Sequence, residues 1–271
     1  MRKLKHRGTF YFFEKEEIIS FIEKNIKKIK VEEGSKAVIT PHAGYQYSGF
    51  CALHSFLSLN KNAKRIIIFG VDHLGNCRKV CVGSEDWEGI FGEVKVDRKF
   101  VEKILDFENV EISDYAHEYE HSIEVQIPFL EYFFKDFKIV PILLNNLTSE
   151  EIEKFIENLV KIIDEKTVSI FSGDLIHHGE IYGFIAFKEK RKENQRKADM
   201  EIIKSILTLD LKKFLESYKK YPTVCGYYTF QAFVFYSKKL DLKPKLLCYY
   251  NSAEITNEED LIVGYASIAS Y

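Results

Sequence analysis

"KAVITPHAGYQYSGFCALHSFLSL" (residues 36–59) sets a short apolar, β-branched run against Pro41, His42 and Gly44, then continues as an apolar stretch at helical spacing. It reads as a strand, a loop and a helix, and a strand apolar at consecutive positions is one covered on both faces. The same pattern returns in "RIIIFG" (65–70), "FKIVPILL" (137–144) and "TVSIFSG" (167–173), each bounded by loop residues and interleaved with helical segments. Such alternation defines an α/β protein. His42 then stands just past the carboxyl end of a buried strand, where side chains of open α/β sheets line a crevice.

The helical segments carry their own end signals. Residues 14–29 place Ile18, Ile19, Ile22, Ile26 and Ile29 three and four apart, with acids first and lysines last, an amphipathic helix aligned with its dipole. "TSEEIEKFIENLVKII" (148–163) opens with Thr148 three residues ahead of Glu151, the capping-box pattern. The basic run 188–197 leads into a helical stretch and lacks interleaved aromatics, so it reads as a solvated face. No low-complexity linker or fixed-period repeat divides the 271 residues, which are expected to form a single domain, 1–271.

Composition narrows the function classes. Forty-one acidic residues against 39 basic ones leave a formal charge of -2, so no overall field draws in nucleic acid or an anionic membrane. Abundant Ile, Lys, Glu, Phe and Tyr give a thermophile-like composition. The five cysteines, at 51, 77, 81, 225 and 248, have no regular spacing, and with no apolar leader or spanning run a reducing, cytoplasmic setting is expected. Cys77 and Cys81 lack the second pair that a zinc site needs, and Cys81, between Val80 and Val82, reads as a core strand residue.

Four of the eight histidines, His42, His73, His121 and His177, lie just after an apolar run or at the opening of a helical one. Parallel strands would gather such residues at one sheet edge. Three have a carboxylate close by: Asp72 beside His73, Glu124 three after His121, and Asp174 three before His177. His121 and Glu124 share a helix face in "HSIEVQIPFLEYFF", with Ile123, Ile127, Leu130 and Phe134 on the buried side and a kink expected near Pro128. This pair is read either as a structural surface pair or as a proton carrier with its orienter. Of the neighbours His177 and His178, which cannot face one ion together, His177 has the carboxylate partner. Cys225 precedes Gly226 and a helical stretch, a setting that favours the thiolate, though a buried core thiol is the alternative.

"PHAGYQYSG" (41–49), "EHSIEVQIPFL" (120–130), "SGDLIHHG" (172–179) and "VCG" (224–226), in this order, resemble the Memo family, as do "HRGTFYF" (6–12), "YNSAE" (250–254) and "GYAS" (264–267). The resemblance covers nearly the whole chain and departs at "GVDHLG" (70–75) and at Ile176 and His178. It implies the LigB-like fold of class III extradiol dioxygenases: a three-layer α/β/α sandwich around a mostly parallel or mixed sheet. It further implies a transition-metal pocket on His42, His73 and Cys225, with Asp174 and His177 completing or bordering it. Imidazoles with a thiolate suit Fe(II), Cu or Zn rather than Mg or Ca. In that setting His177, His121, Glu124 and Asp174 become the expected catalytic group of a metal-dependent, dioxygenase-like oxidoreductase. The other readings are a non-catalytic metal-binding module, or one that grips a small molecule, a peptide or a protein partner. Zinc-dependent hydrolysis and nucleophilic catalysis by Cys225 are weaker alternatives.

Overall fold

The computed structural model describes all 271 residues. Its strands are β1 (Ala37–Thr40), β2 (Arg65–Val71), β3 (Val80–Val82), β4 (Trp87–Glu88), β5 (Glu93–Val96), β6 (Val110–Ile112), β7 (Lys138–Leu144), β8 (Thr167–Ser172), β9 (His177–His178), β10 (Pro244–Asn251) and β11 (Ile262–Ser270). The main path runs β10-β11-β1-β8-β2-β7-β3-β6. At its centre β1, β8, β2 and β7 are mutually parallel, whereas β11 pairs antiparallel with β1 and β3 antiparallel with β7. The sheet is mixed, with its parallel strands in the middle.

That position explains their composition. Every residue of β1, β8 and β11 is buried, because helices cover both faces. Phe50–Ser58 lies on one face with Lys15–Ile26 and Ile127–Phe133, while Tyr227–Lys239 lies on the other with Ser149–Val160 and Leu211–Lys220. One apolar cluster of 65 buried residues runs from Tyr11 to Ala269, so both ends of the chain share a core with its middle. The Ser149–Val160 helix starts with the full capping box: Thr148 Oγ1 accepts from Glu151 N–H, and Glu151 accepts from Thr148 N–H.

The chain from His121 to Phe133 is two short helices, His121–Glu124 and Ile127–Phe133, broken around Gln126. Pro128 has no N–H to give the Glu124 carbonyl and instead occupies the first turn of the second helix. Cys77 and Cys81 correct an expectation: Cys81 is indeed buried in β3, but it is disulfide-bonded to Cys77, not a free core thiol. The turn from the loop into β3 brings their Cα atoms to 5.6 Å, within disulfide range. No helix is long and apolar enough to cross a membrane.

Candidate metal centre

Because β1, β2 and β8 run parallel side by side, their carboxyl ends deliver His42, His73 and the Asp174–His177 loop to one edge. There they border a cavity of roughly 710 Å³ whose walls also include Phe10, Tyr47, His121, Tyr182 and Tyr265. Cys225, just ahead of the Tyr227–Lys239 helix, stands behind His42 with its sulfur 3.1 Å from His42 Nε2.

The hydrogen bonds around His42 assign its tautomer. Ser172 Oγ donates to the Ser122 carbonyl at 2.7 Å, so towards His42 Nδ1, 3.0 Å away, it can only accept. His42 therefore carries its proton on Nδ1 and turns the bare lone pair of Nε2 towards Cys225 and Asp174. Asp174 Oδ1 accepts from the His42 backbone N–H at 2.9 Å, and Oδ2 lies 3.9 Å from both His42 Nε2 and His177 Nε2.

His73 is held by Glu120, which accepts from its backbone N–H at 2.8 Å and from Nδ1 at 2.9 Å. This carboxylate backing leaves His73 Nε2 free and oriented, as in histidines that ligate metals. His121 lies with Nδ1 3.4 Å from the same Glu120 oxygen, its ring stacked on His73 at 4.5 Å and on Phe10 at 4.3 Å. His177 packs against Tyr182, and its buried Nε2 has no hydrogen-bond partner. His178 points elsewhere, accepting from the Ala186 N–H and stacking on Phe187.

Glu124 does not reach this cavity. Its carboxylate is taken by Arg2 Nη1 at 2.7 Å, the Tyr11 hydroxyl at 2.7 Å and the backbone N–H groups of Lys5 and His6. The carboxylate that faces the imidazoles of His73 and His121 is instead Glu120. Glu120 is the extended N-cap of the His121–Glu124 helix, its carboxylate accepting from the Ser122 N–H, so helical spacing does not fix the direction in which it points.

Burial sets the protonation states. It pushes His42 well below the ordinary histidine value, His121 to about 3 and His177 to about 4, so all three rings are neutral near pH 7. Burial alone would raise Glu120, yet the hydrogen bond from His73 and the nearby imidazoles hold it at about 2. Asp174 is raised by burial to about 7, despite the backbone donors of His42 and Ala43. The Cys225 thiol is pushed up by burial and by the charge of Asp174, which reverses the depressed value expected ahead of a helix. A cation beside it would invert that balance, since a coordinated thiol is deprotonated outright.

Two overlapping groups have donor atoms all within 4.8 Å of one another: His42, His73 and His121, and His42, Asp174 and Cys225. Neutral imidazoles with free ring nitrogens, one orphaned buried nitrogen and a thiol form a donor set that fits a transition-metal ion. A family profile described as Memo-like protein matches residues 2–269. The chain belongs to the Memo family. A MEMO1 family protein of Methanosarcina barkeri is 34% identical over 275 residues, spanning 99% of each chain. One of Pyrococcus abyssi is 33% identical over 280 residues, spanning 96% of each. In fold, the chain is similar to an uncharacterized protein of Escherichia coli K12, with a TM-score of 0.54 at 11% identity, covering 87% of this chain and 99% of that one.

The arrangement around the cavity depends on three residues that residue-level reading of the sequence passed over. Ser172 and Gln126 fix His42, the amide of Gln126 donating to the Pro41 carbonyl and to Ser172 Oγ. Glu120 fixes His73. Only Glu120 left a signal, as a carboxylate directly before His121.

Proposed function

We propose that this Memo-family chain is a metal-dependent oxidoreductase related to non-haem iron dioxygenases, binding Fe(II) or Cu, with Zn as a third candidate. His42, His73 and Cys225 would hold the ion, with Asp174 and His177 completing or bordering the set. The observation that carries this reading is the lone pair of His42 Nε2, fixed by Ser172 and aimed between a thiol and a carboxylate. When bound, Fe(II) or Cu would supply one-electron chemistry, and Zn Lewis acidity alone.

The chain's own residues then have distinct tasks. Glu120 keeps His73 in one tautomer and one orientation. His177, neutral and without a partner at Nε2, can accept a proton from a bound molecule, and Asp174, 3.9 Å from that nitrogen, can receive or return it. Phe10, Tyr47, Tyr182 and Tyr265 offer flat apolar walls for a planar small molecule or an aromatic peptide side chain and limit water around it.

A binding module without turnover is the second reading. It is favoured by the aromatic and apolar residues at the cavity, where Tyr182 and Leu261 are both lining and exposed, a surface suited to a protein or peptide partner. One experiment separates the two. Protein purified untagged and without oxygen is analysed for metal, reconstituted with Fe(II), Cu or Zn, and aerated with and without a catechol. His42→Ala and Cys225→Ala are each expected to lose metal while remaining folded, and unchanged occupancy in both would defeat the metal assignment. Simple catechols are expected to fail, because Cys225 replaces the dioxygenase carboxylate; oxygen uptake without any catechol would still mark an oxidase. Silence in every metal form would put the binding module first.

A further inference from the structure

A second cluster of reactive side chains lies outside the cavity. Cys51 opens the Phe50–Ser58 helix, and His54, three residues on, shares its face. Both meet Cys248 of β10. The register of β10 against β11 shifts between Leu246 and Cys248, a bulge of the kind that re-aims a side chain. Cys51 Sγ comes within 3.8 Å of the Cys248 carbonyl oxygen, and Cys248 packs against the small buried cluster that Cys51 forms with Val263 and Tyr265. Cys51 is fully buried and Cys248 half-buried, so reagents reach the pair through Cys248.

His54 supplies a base of defined tautomer. Its Nδ1 is 2.9 Å from the Phe50 carbonyl, which can only accept, so the proton is on Nδ1 and the lone pair of Nε2 is free for the Cys248 thiol. The other titratable groups around the pair are Tyr250, whose hydroxyl accepts from the Cys51 N–H, and Asp174, whose charge acts on Cys51 from the far side. Hydrogen bonds from Cys51 and His54, against the cost of burial, lower the Cys248 thiol, while burial raises Cys51. One partly open, acidic thiol beside one buried, weakly acidic thiol is the asymmetry of an attacking and a resolving cysteine.

We propose that Cys248, His54 and Cys51 form a second reactive site, a dithiol that low-molecular-weight disulfides oxidise to a Cys51–Cys248 cross-link. The Cys248 thiolate attacks one sulfur of the external disulfide, forming a mixed disulfide and releasing one thiol. Cys51 then attacks Cys248 Sγ, and its proton leaves with the second released thiol. The protein loses two protons and two electrons, and the external disulfide ends as two thiols. This site is independent of the metal assignment. Cys51 packs with Val263 and Tyr265, both of which also line the cavity.

The test treats the full-length protein with glutathione disulfide, quenches it with an alkylating agent and maps its peptides without reduction. The wild type is expected to give a Cys51–Cys248 cross-linked peptide, and Cys51→Ser a persistent glutathione adduct on Cys248. The rate of Cys248 modification in the wild type is expected to be nearly flat from about pH 6.5 to 8, and to gain a measurable rise with pH in His54→Gln, short of the roughly tenfold per pH unit of an ordinary thiol because Cys51 remains. The wild-type map and pH profile stand without the variants should either fail to fold. A wild-type Cys248 that follows the steep profile of a free thiol, or one that keeps its adduct with no cross-link, overturns the proposal.

Discussion

Two buried polar clusters flank the same short helix, His121–Glu124, and they differ in how completely their hydrogen bonds are made. On one side Glu124 and Arg2 are buried together, and the carboxylate also receives the Tyr11 hydroxyl and two backbone N–H groups. On the other, His177 Nε2 is buried with no partner, and Asp174 Oδ2 stands 3.9 Å from each of the His42 and His177 Nε2 atoms, beyond hydrogen-bond reach of both. Buried polar atoms thus occur in opposite states. A saturated buried charge holds chain segments together, while buried donors and acceptors left open are available to something else.

The difference is broken most severely at Glu124. Removing it strands the Arg2 guanidinium in an apolar setting and frees the N-terminal segment, so Glu124→Ala should cost about 3–5 kcal/mol of stability. Denaturant unfolding measures this, and a loss within a few tenths of a kcal/mol would show that Glu124 is not the anchor described here. Whatever fraction folds should retain its metal stoichiometry.

Glu120 tests the other side. Glu120→Gln keeps the shape but weakens the hold on His73 Nδ1, and metal affinity should fall about 10- to 100-fold. Chelator competition on the reconstituted protein gives that number directly. An unchanged affinity would place the ion on Cys225, Asp174 and His42 without His73.

The contrast also explains what the sequence made legible. Strand runs such as "KAVIT" and "TVSIFSG" announced the layered fold, because burial on both faces leaves a continuous apolar run, and His42, His73, Asp174 and His177 could be singled out by their place at strand ends. The partition between Glu120 and Glu124 was hidden, since both are glutamates at one short helix, the first at its cap and the second inside it. It depends on where the N-terminal segment folds back, a long-range event bringing Arg2 against a residue 122 positions away. The Cys77–Cys81 pair was missed for a different reason: composition argued about compartment, whereas a local turn determined proximity. Ser172 and Gln126 looked like ordinary polar residues of a strand end and a helix, and only the His42 tautomer gives them a task.

Acidity sharpens the comparison in the metal-free protein. His121 and His177 fall from 6.5 to about 3 and about 4 in the fold, so the unfolded chain binds more protons and stability declines as pH drops from about 6.5 towards 4. Asp174 works in the opposite sense. Its value rises from 3.8 to about 7, so the fold holds a proton that the unfolded chain gives up, and its contribution is lost as pH rises from about 4 to 7. Asp174→Asn, which can still accept from the His42 N–H, should therefore stabilise the metal-free protein at pH 8 by on the order of 1 kcal/mol and have little effect at pH 4. Melting curves at the two pH values check the sign; a variant less stable than the wild type at pH 8 would mean that the Asp174 carboxylate has partners beyond those described.

The smallest effect is expected where the two clusters touch. Phe10 belongs to the N-terminal segment pinned by Glu124, yet its ring stacks on His121 at 4.3 Å and forms part of the cavity wall. Phe10→Leu keeps most of the apolar volume and removes the flat face, so the stability lost should be only about 0.5–1 kcal/mol, the usual worth of an aromatic pair beyond its buried area. If the saturated cluster merely closes the fold, metal affinity should stay within about twofold, because His121 is also held by stacking on His73 and by Glu120. A tenfold loss of affinity in Phe10→Leu, read in the same chelator competition, would show instead that the N-terminal segment positions His121, and that the saturated side of the helix is part of the machinery of the open one.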